Sequence, residues 1–229
     1  MAMDGILLVD KPEGISSFGV VAKIRRILSE QEGKKVKIGH TGTLDPAASG
    51  LMILVVGKYT KRAAAFSKLD KTYEAEIALG YTSATADREG ELTKINERQP
   101  DLDEIKQALN TFLGTISQTP PAFSAIKVGG QRAYKLARAG QEVKIEPRKV
   151  TVYSIGNIKY SYPRLSFTVS VSSGTYIRSL AEDLGNQLAT GAYLVSLRRL
   201  SVGPFRVNDG LSLEGIDYKG IEASIKALS

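Results

Sequence analysis

Gly39-His40-Thr41-Gly42-Thr43-Leu44-Asp45-Pro46-Ala47-Ala48-Ser49-Gly50 runs directly into Leu51-Met52-Ile53-Leu54-Val55-Val56. A loop of small residues is thereby joined to a continuous apolar run of the kind that forms a buried strand. Three glycines permit positive φ and close backbone approach. Pro46 biases Asp45 toward an extended conformation and so fixes where its carboxylate points. The loop also holds the only histidine of the chain, His40. A rigid loop at a strand end suits a functional site. Asp-Pro is also a common turn starter, and an Asp in such a loop often caps its own backbone. The stretch alone leaves both readings open.

The surrounding chain narrows them. Its 229 residues, 42% hydrophobic, allow one large domain with a substantial core. With no cysteine, disulfides and thiolate zinc sites are excluded, and a reducing cytoplasm is the expected location. One histidine excludes a histidine-rich metal centre, and the carboxylates show no metal-ligand spacing. No apolar run is long enough to span a bilayer. Thirty-one Lys+Arg against 24 Asp+Glu give a net charge of +7 and a pI near 9.4, the footprint of a protein whose partner carries phosphates.

Upstream of the loop, Gly5–Pro12 reads as a short buried strand. A helix capped by Ser16 or Ser17 follows to about Ser29, with Val20, Val21, Ile24, Ile27 and Leu28 as its apolar stripe. Downstream, Lys58, Lys61, Arg62, Lys68 and Lys71 face only Asp70 in sequence. Residues 72–79 alternate, with Tyr73, Ala75, Ile77 and Leu79 on one face of a half-exposed strand. Gly80–Asn96 reads as a polar connection and Leu102–Leu113 as a helix. Pro120-Pro121 then forbids helix and sets up an extended edge. Gln131–Ala139 reads as a short helix on which Arg132, Lys135 and Arg138 form a basic stripe. With Phe123 and Tyr134 nearby, that stripe suits a phosphate backbone with unstacked bases, although a solvated face has the same pattern.

Residues 149–155, 158–162 and 165–171 read as strands, the last alternating perfectly. A helix begins near Thr175 with Ile177, Leu180, Ala181, Leu184 and Leu188 buried. Arg178 sits near its N-terminus, where the helix dipole disfavours a cation. That placement predicts a specific carboxylate partner, and Glu182, one turn on, is the local candidate. Leu194–Leu200 and Val202–Phe205 form a last strand and turn, and Leu211–Leu228 reads as two short helices. The irregular mixture of strands and helices predicts an α+β fold with a mixed, largely antiparallel sheet flanked by helices.

Six of these segments, in order, resemble the TruB family of tRNA pseudouridine synthases. They are residues 5–17 (GILLVDKPEGISS), 39–50 with Gly57-Lys58-Tyr59-Thr60-Lys61, Lys71-Thr72-Tyr73, Pro120–Lys127, Ser173–Leu180 and Leu197-Arg198-Arg199. The resemblance implies the pseudouridine synthase fold and isomerisation of uridine 55 in the tRNA T-loop, with no cofactor or metal. It also implies a monomer in the cytoplasm with RNA in a basic cleft. Asp45 would be the catalytic carboxylate, Tyr73 would stack on the flipped base and assist deprotonation, and Arg178 would pair with Asp45. His40, Lys61, Tyr176 and Leu197 would contact the substrate, with Arg132, Lys135 and Arg138 on its backbone. Ser172-Ser173 stands where the family often has cysteine. The chain reads as a single catalytic domain, residues 1–229, without the C-terminal RNA-binding (PUA) domain that many bacterial members carry. The alternatives are a non-catalytic RNA-binding or tRNA-folding module of the same fold, and a synthase acting on another RNA.

Overall fold

Ser16, in extended conformation, accepts a hydrogen bond from Gly19 N–H and starts the first helix. Gly33, at φ 64°, ends it. A computed structural model describes residues 3–227. In chain order its elements begin with β1 (Gly5–Lys11), α1 (Ser17–Glu32), β2 (Ile38–His40), β3 (Ser49–Val56), a 3-10 turn (Gly57–Arg62) and α2 (Ala63–Ser67). Next come β4 (Lys71–Leu79), β5 (Tyr81–Ser83), β6 (Leu92–Lys94), α3 (Leu102–Asn110), β7 (Gly114–Gln118), β8 (Lys127–Val128), β9 (Gln131–Arg132) and α4 (Ala133–Arg138). The chain closes with β10 (Arg148–Ser161), β11 (Arg164–Val171), α5 (Ile177–Gln187), β12 (Ala192–Val202), β13 (Phe205–Arg206), β14 (Leu211–Ser212) and α6 (Tyr218–Ser224). No helix among the described residues is long and apolar enough to cross a membrane.

These elements form two compact units, Met1–Tyr73 with Leu197–Ser229, and Glu74–Ser196. In the first, β1 pairs antiparallel with β3 over its whole length, from Gly5↔Val56 to Lys11↔Gly50. β14 lies parallel to β1, β2 antiparallel to β3, and the end of β12 parallel to β3 through Arg198↔Ser49 and Arg199↔Gly50. Both β1 and β3 are buried almost throughout, which is why they read as continuous apolar runs rather than alternating ones. Ile6, Leu8, Leu51, Ile53, Val55 and Phe66 form the core under α2 and the 3-10 turn.

In the second unit β10 pairs antiparallel with both β11 and β7. The expected α+β architecture with mostly antiparallel strands is therefore observed. Several local expectations change. The two strands expected in 149–162 are one strand, β10, which keeps pairing with β11 through two register shifts; Asn157, at φ 51°, lies at the second. Gly80–Asn96 is a hairpin of β5 and β6, hidden from pattern reading because its strands are three residues long and mostly exposed. The helix expected to Leu113 stops at Asn110, and Gly114 at φ 89° turns the chain into β7, so the extended edge precedes the two prolines. Arg132 belongs to β9, before α4, so the three-residue basic stripe is not one helix face. Of the tail, only Tyr218–Ser224 is helical; Leu211 is in β14, and Leu228 lies outside the described residues.

Candidate active site

The segment that carries Asp45 is fixed at the residues on either side of it. Ser17, the first residue of α1, receives Leu44 N–H at 2.8 Å and donates to Leu44 O at 2.8 Å. Pro46 O accepts from Gly14 N–H at 2.8 Å and from the Lys11 ammonium at 3.2 Å. Ala48 N–H closes a turn on Asp45 O at 3.1 Å. The backbone on both sides of the half-buried Asp45 is thus held in place.

Lys11 is wholly buried at the end of β1 and also donates to Pro12 O and Ile15 O. Burial pulls its ammonium down to about 8, against the opposing influence of Glu13 and Asp45, while Arg199 adds to the depression. Arg199, on β12 and 2% exposed, donates Nε–H to Leu51 O at 2.7 Å and Nη2–H to Gly42 O at 3.1 Å. It ties the start of the loop to its end. Gly50, at φ 106°, is required where β3 meets that arginine: a Cβ there would lie 2.3 Å from Arg199 O and 2.6 Å from Arg199 N. Beside it, Arg198 grips Asp10 bidentately at 2.7 and 3.1 Å.

His40 is half-buried at the end of β2, and its Nδ1 has no hydrogen-bond partner among the described residues. Burial first, and Arg199 second, hold its imidazolium below the ordinary value, so it presents a neutral ring at neutral pH. Tyr73, on β4, is 7% exposed, in line with a ring that begins a buried strand face. Leu197 is half-buried in β12, and Lys61 is exposed in the 3-10 turn after β3.

In the second unit, Arg178 meets a turn that sequence reading treated as a polar connection. Its Nη1 is 3.2 Å from Asp87 Oδ2 and donates to Thr85 O at 3.2 Å, and Nη2 donates to Phe123 O at 2.8 Å. Asp87 is itself held, with Oδ1 accepting from Thr85 Oγ1 at 2.5 Å and from Glu89 N–H at 3.0 Å. Ala86 takes a left-handed φ of 62° to place it, and its carbonyl accepts from Leu194 N–H. Asp87 therefore supplies a carboxylate partner that local spacing assigned to Glu182. Glu182 stays close enough to feel Arg178, but burial raises its pKa more than Arg178 lowers it.

Tyr176, just before α5, is fixed by the buried Gln118 side chain, which donates to Tyr176 O at 3.0 Å and accepts from Tyr176 N–H at 2.8 Å. The Arg148 guanidinium stacks 5.0 Å from its ring centre. Lys135 and Arg138 are exposed on α4, while the Arg132 guanidinium turns back onto Ala125 O.

Sequence reading missed Asp87, Arg199, Lys11 and Gln118. Two of these had a visible signal, Lys11 in the match over residues 5–17 and Arg199 in the Leu197-Arg198-Arg199 match.

Comparison with known proteins bears on both units. Residues 25–177 match the model of the TruB family pseudouridylate synthase N-terminal domain, and residues 178–221 that of the tRNA pseudouridylate synthase B C-terminal domain. The tRNA pseudouridine synthase B of Clostridium kluyveri is 45% identical over 96% of this chain and 74% of its own length. That of Aquifex aeolicus is 43% identical over 93% and 73%. Among solved structures, one described as a Cbf5-Nop10-Gar1 complex superposes with a TM-score of 0.73 at 28% identity, covering 98% of this chain and 60% of the matched one. An H/ACA ribonucleoprotein bound to a substrate RNA containing 2′-deoxyuridine gives 0.70 at 27% identity over 98% and 59%.

Proposed function

Because the chain belongs to the TruB family and has that family's tRNA pseudouridine synthase activity, we propose that its target is uridine 55 in the T-loop and that Asp45 is the catalytic carboxylate. The observation that carries the assignment is the clamping of Leu44 and Pro46 on either side of Asp45. Such anchoring suits a group that must meet a reacting atom.

The reaction is an isomerisation. The N1–C1′ bond breaks, a C5–C1′ bond forms, C5 loses a proton and N1 gains one, so atoms balance within the nucleotide and no external reagent enters. The base must leave its stack first, at a cost of about a few kcal/mol, and an aromatic ring at Tyr73 recovers part of that by stacking. An anionic oxygen is the group that stabilises an electron-poor C1′, and Asp45 supplies it. Arg178 is the guanidinium assigned to sustain that anion. His40, Lys61, Tyr176 and Leu197 contact the target loop, while Arg132, Lys135 and Arg138 meet its backbone. The chain acts as one catalytic domain, a monomer in the cytoplasm.

The test is pseudouridine formation in an unmodified tRNA transcript, mapped to the nucleotide, for wild type and Asp45→Ala. Modification at uridine 55 by wild type alone is expected. Turnover by Asp45→Ala removes the catalytic assignment, and modification at another uridine removes the target.

A further inference from the structure

On the first unit, α1 ends at Gly33 and is followed by Lys34, Lys35 and Lys37 before β2 begins. These three lysines line a cavity of about 410 Å3 together with Lys58 and Lys61 of the 3-10 turn. Among the described residues two carboxylates share that wall, Asp4 and Glu32, and both are engaged. Asp4 accepts Lys58 N–H at 2.7 Å and lies 3.5 Å from the Lys58 ammonium. Glu32 accepts the Tyr218 hydroxyl at 3.2 Å. Lys34, Lys35, Lys37 and Lys61 have no carboxylate partner among the described residues.

The lysines do not hang from a loose loop. Val36 N–H donates to Ser29 Oγ at 3.0 Å, Lys37 O accepts from Gly57 N–H at 2.8 Å, and Ile38 pairs with Val56 at the C-terminal end of β3. The backbone holding three ammoniums is thereby fastened to the backbone holding the other two. Like charges gathered around a concavity repel one another and focus a positive field. Five ammoniums around one cavity select an occupant with repeated negative charge.

We propose that this cavity is a second docking site for RNA, taking consecutive phosphates of the tRNA backbone outside the reacting loop. The proposal rests on the reading of the chain as a tRNA-modifying enzyme. Lys61 connects the two, since it is assigned there to the substrate and also forms part of this wall. Lysine acts at such a site as a mobile point charge, giving affinity without sequence preference.

The experiment compares wild type with Lys34→Gln/Lys35→Gln/Lys37→Gln by binding an unmodified tRNA transcript across a salt series, both carrying Asp45→Ala so that no turnover intervenes. Loss of three phosphate contacts flattens the slope of log K against log salt by about 2–3 and weakens binding at low salt by roughly tenfold. The loss is expected equally on tRNAs of different sequence. Lys35→Glu alone is expected to weaken binding more than Lys35→Gln. An unchanged slope and affinity overturns the proposal and returns these lysines to solvent. Tight binding of inorganic tripolyphosphate by wild type, with the RNA slope unchanged in the triple variant, also overturns it, in favour of a free anion. Because the readout is binding, it stands apart from whether wild type converts uridine 55.

Discussion

The Arg178 guanidinium and the Asp87 carboxylate, ninety-one residues apart in sequence, form an ion pair at 3.2 Å with side chains only 7% and 11% exposed. Deleting the carboxylate of a buried ion pair takes compensation away from the remaining charge, which costs up to about 3–5 kcal/mol. Asp87→Ala is therefore expected to lower the unfolding free energy by that order in urea titration. Thr85→Val removes only one donor to Asp87 Oδ1 and is expected to cost about 1–3 kcal/mol. Equal, negligible losses for both would show that the turn does not hold Arg178.

Gly50→Ala is expected to be among the most damaging single-methyl changes in the chain. The left-handed φ alone costs an alanine about 1–2 kcal/mol, and the added carbon meets Arg199 backbone rather than a movable side-chain tip. Thermal unfolding measures the loss. A melting temperature within a degree of wild type would mean that β3 and β12 separate freely at this point.

Lys11 and Lys71 give a pH dependence of defined sign. Burial pulls both ammoniums down to about 8; Arg199 reinforces the effect on each, while Glu13 and Asp45 oppose it at Lys11 and Asp70 at Lys71. Between about 8 and the ordinary lysine value of 10.5, the unfolded chain binds more protons than the folded one, so stability contributed by these groups rises with pH. The difference in unfolding free energy between wild type and Lys71→Met is expected to shift in wild type's favour from pH 8 to pH 10. Parallel curves would show that the Lys71 ammonium, which donates to Ser67 O at 2.7 Å, titrates normally.

Tyr73→Phe keeps the ring that begins the buried face of β4 and removes only the hydroxyl. If that hydroxyl assists proton removal from C5, single-turnover pseudouridine formation slows while tRNA affinity is kept. A rate equal to wild type assigns Tyr73 to stacking alone.

Arg132→Gln/Lys135→Gln/Arg138→Gln tests the basic stripe. These exposed side chains should flatten the salt dependence of tRNA binding, with Lys135 and Arg138 contributing more than Arg132, whose guanidinium is already engaged by Ala125 O. Single variants measured across a salt series rank them.

What sequence revealed follows from the range of the interactions. β1, α1, β3, β11 and the buried face of α5 were legible because each is written in consecutive residues as an apolar run, an alternation or a helical stripe. The Asp45 loop announced itself through glycines and an Asp-Pro step. Asp87 could not be found as a partner of Arg178 by local spacing, because i,i+4 logic points to Glu182 while Asp87 arrives from a hairpin whose exposed strands carry no pattern. Lys11 lies within the stretch that reads as a short buried strand, and only the fold shows three carbonyl oxygens converging on its ammonium. The break of the basic stripe at Arg132 was equally invisible, since three-residue spacing does not show where a helix starts.

Arg199 has a consequence for how the protein is made. The loop from Gly42 to Leu51 carries the two carbonyls that Arg199 engages and emerges from the ribosome early, yet Arg199 itself, on the strand that runs parallel to β3, lies 148 residues beyond Leu51 and 157 beyond Gly42. All of Glu74–Ser196 is synthesised in between. A nascent chain halted anywhere before Arg199 holds the Asp45 segment without its closing contacts, so completion of the catalytic loop is a late event of translation.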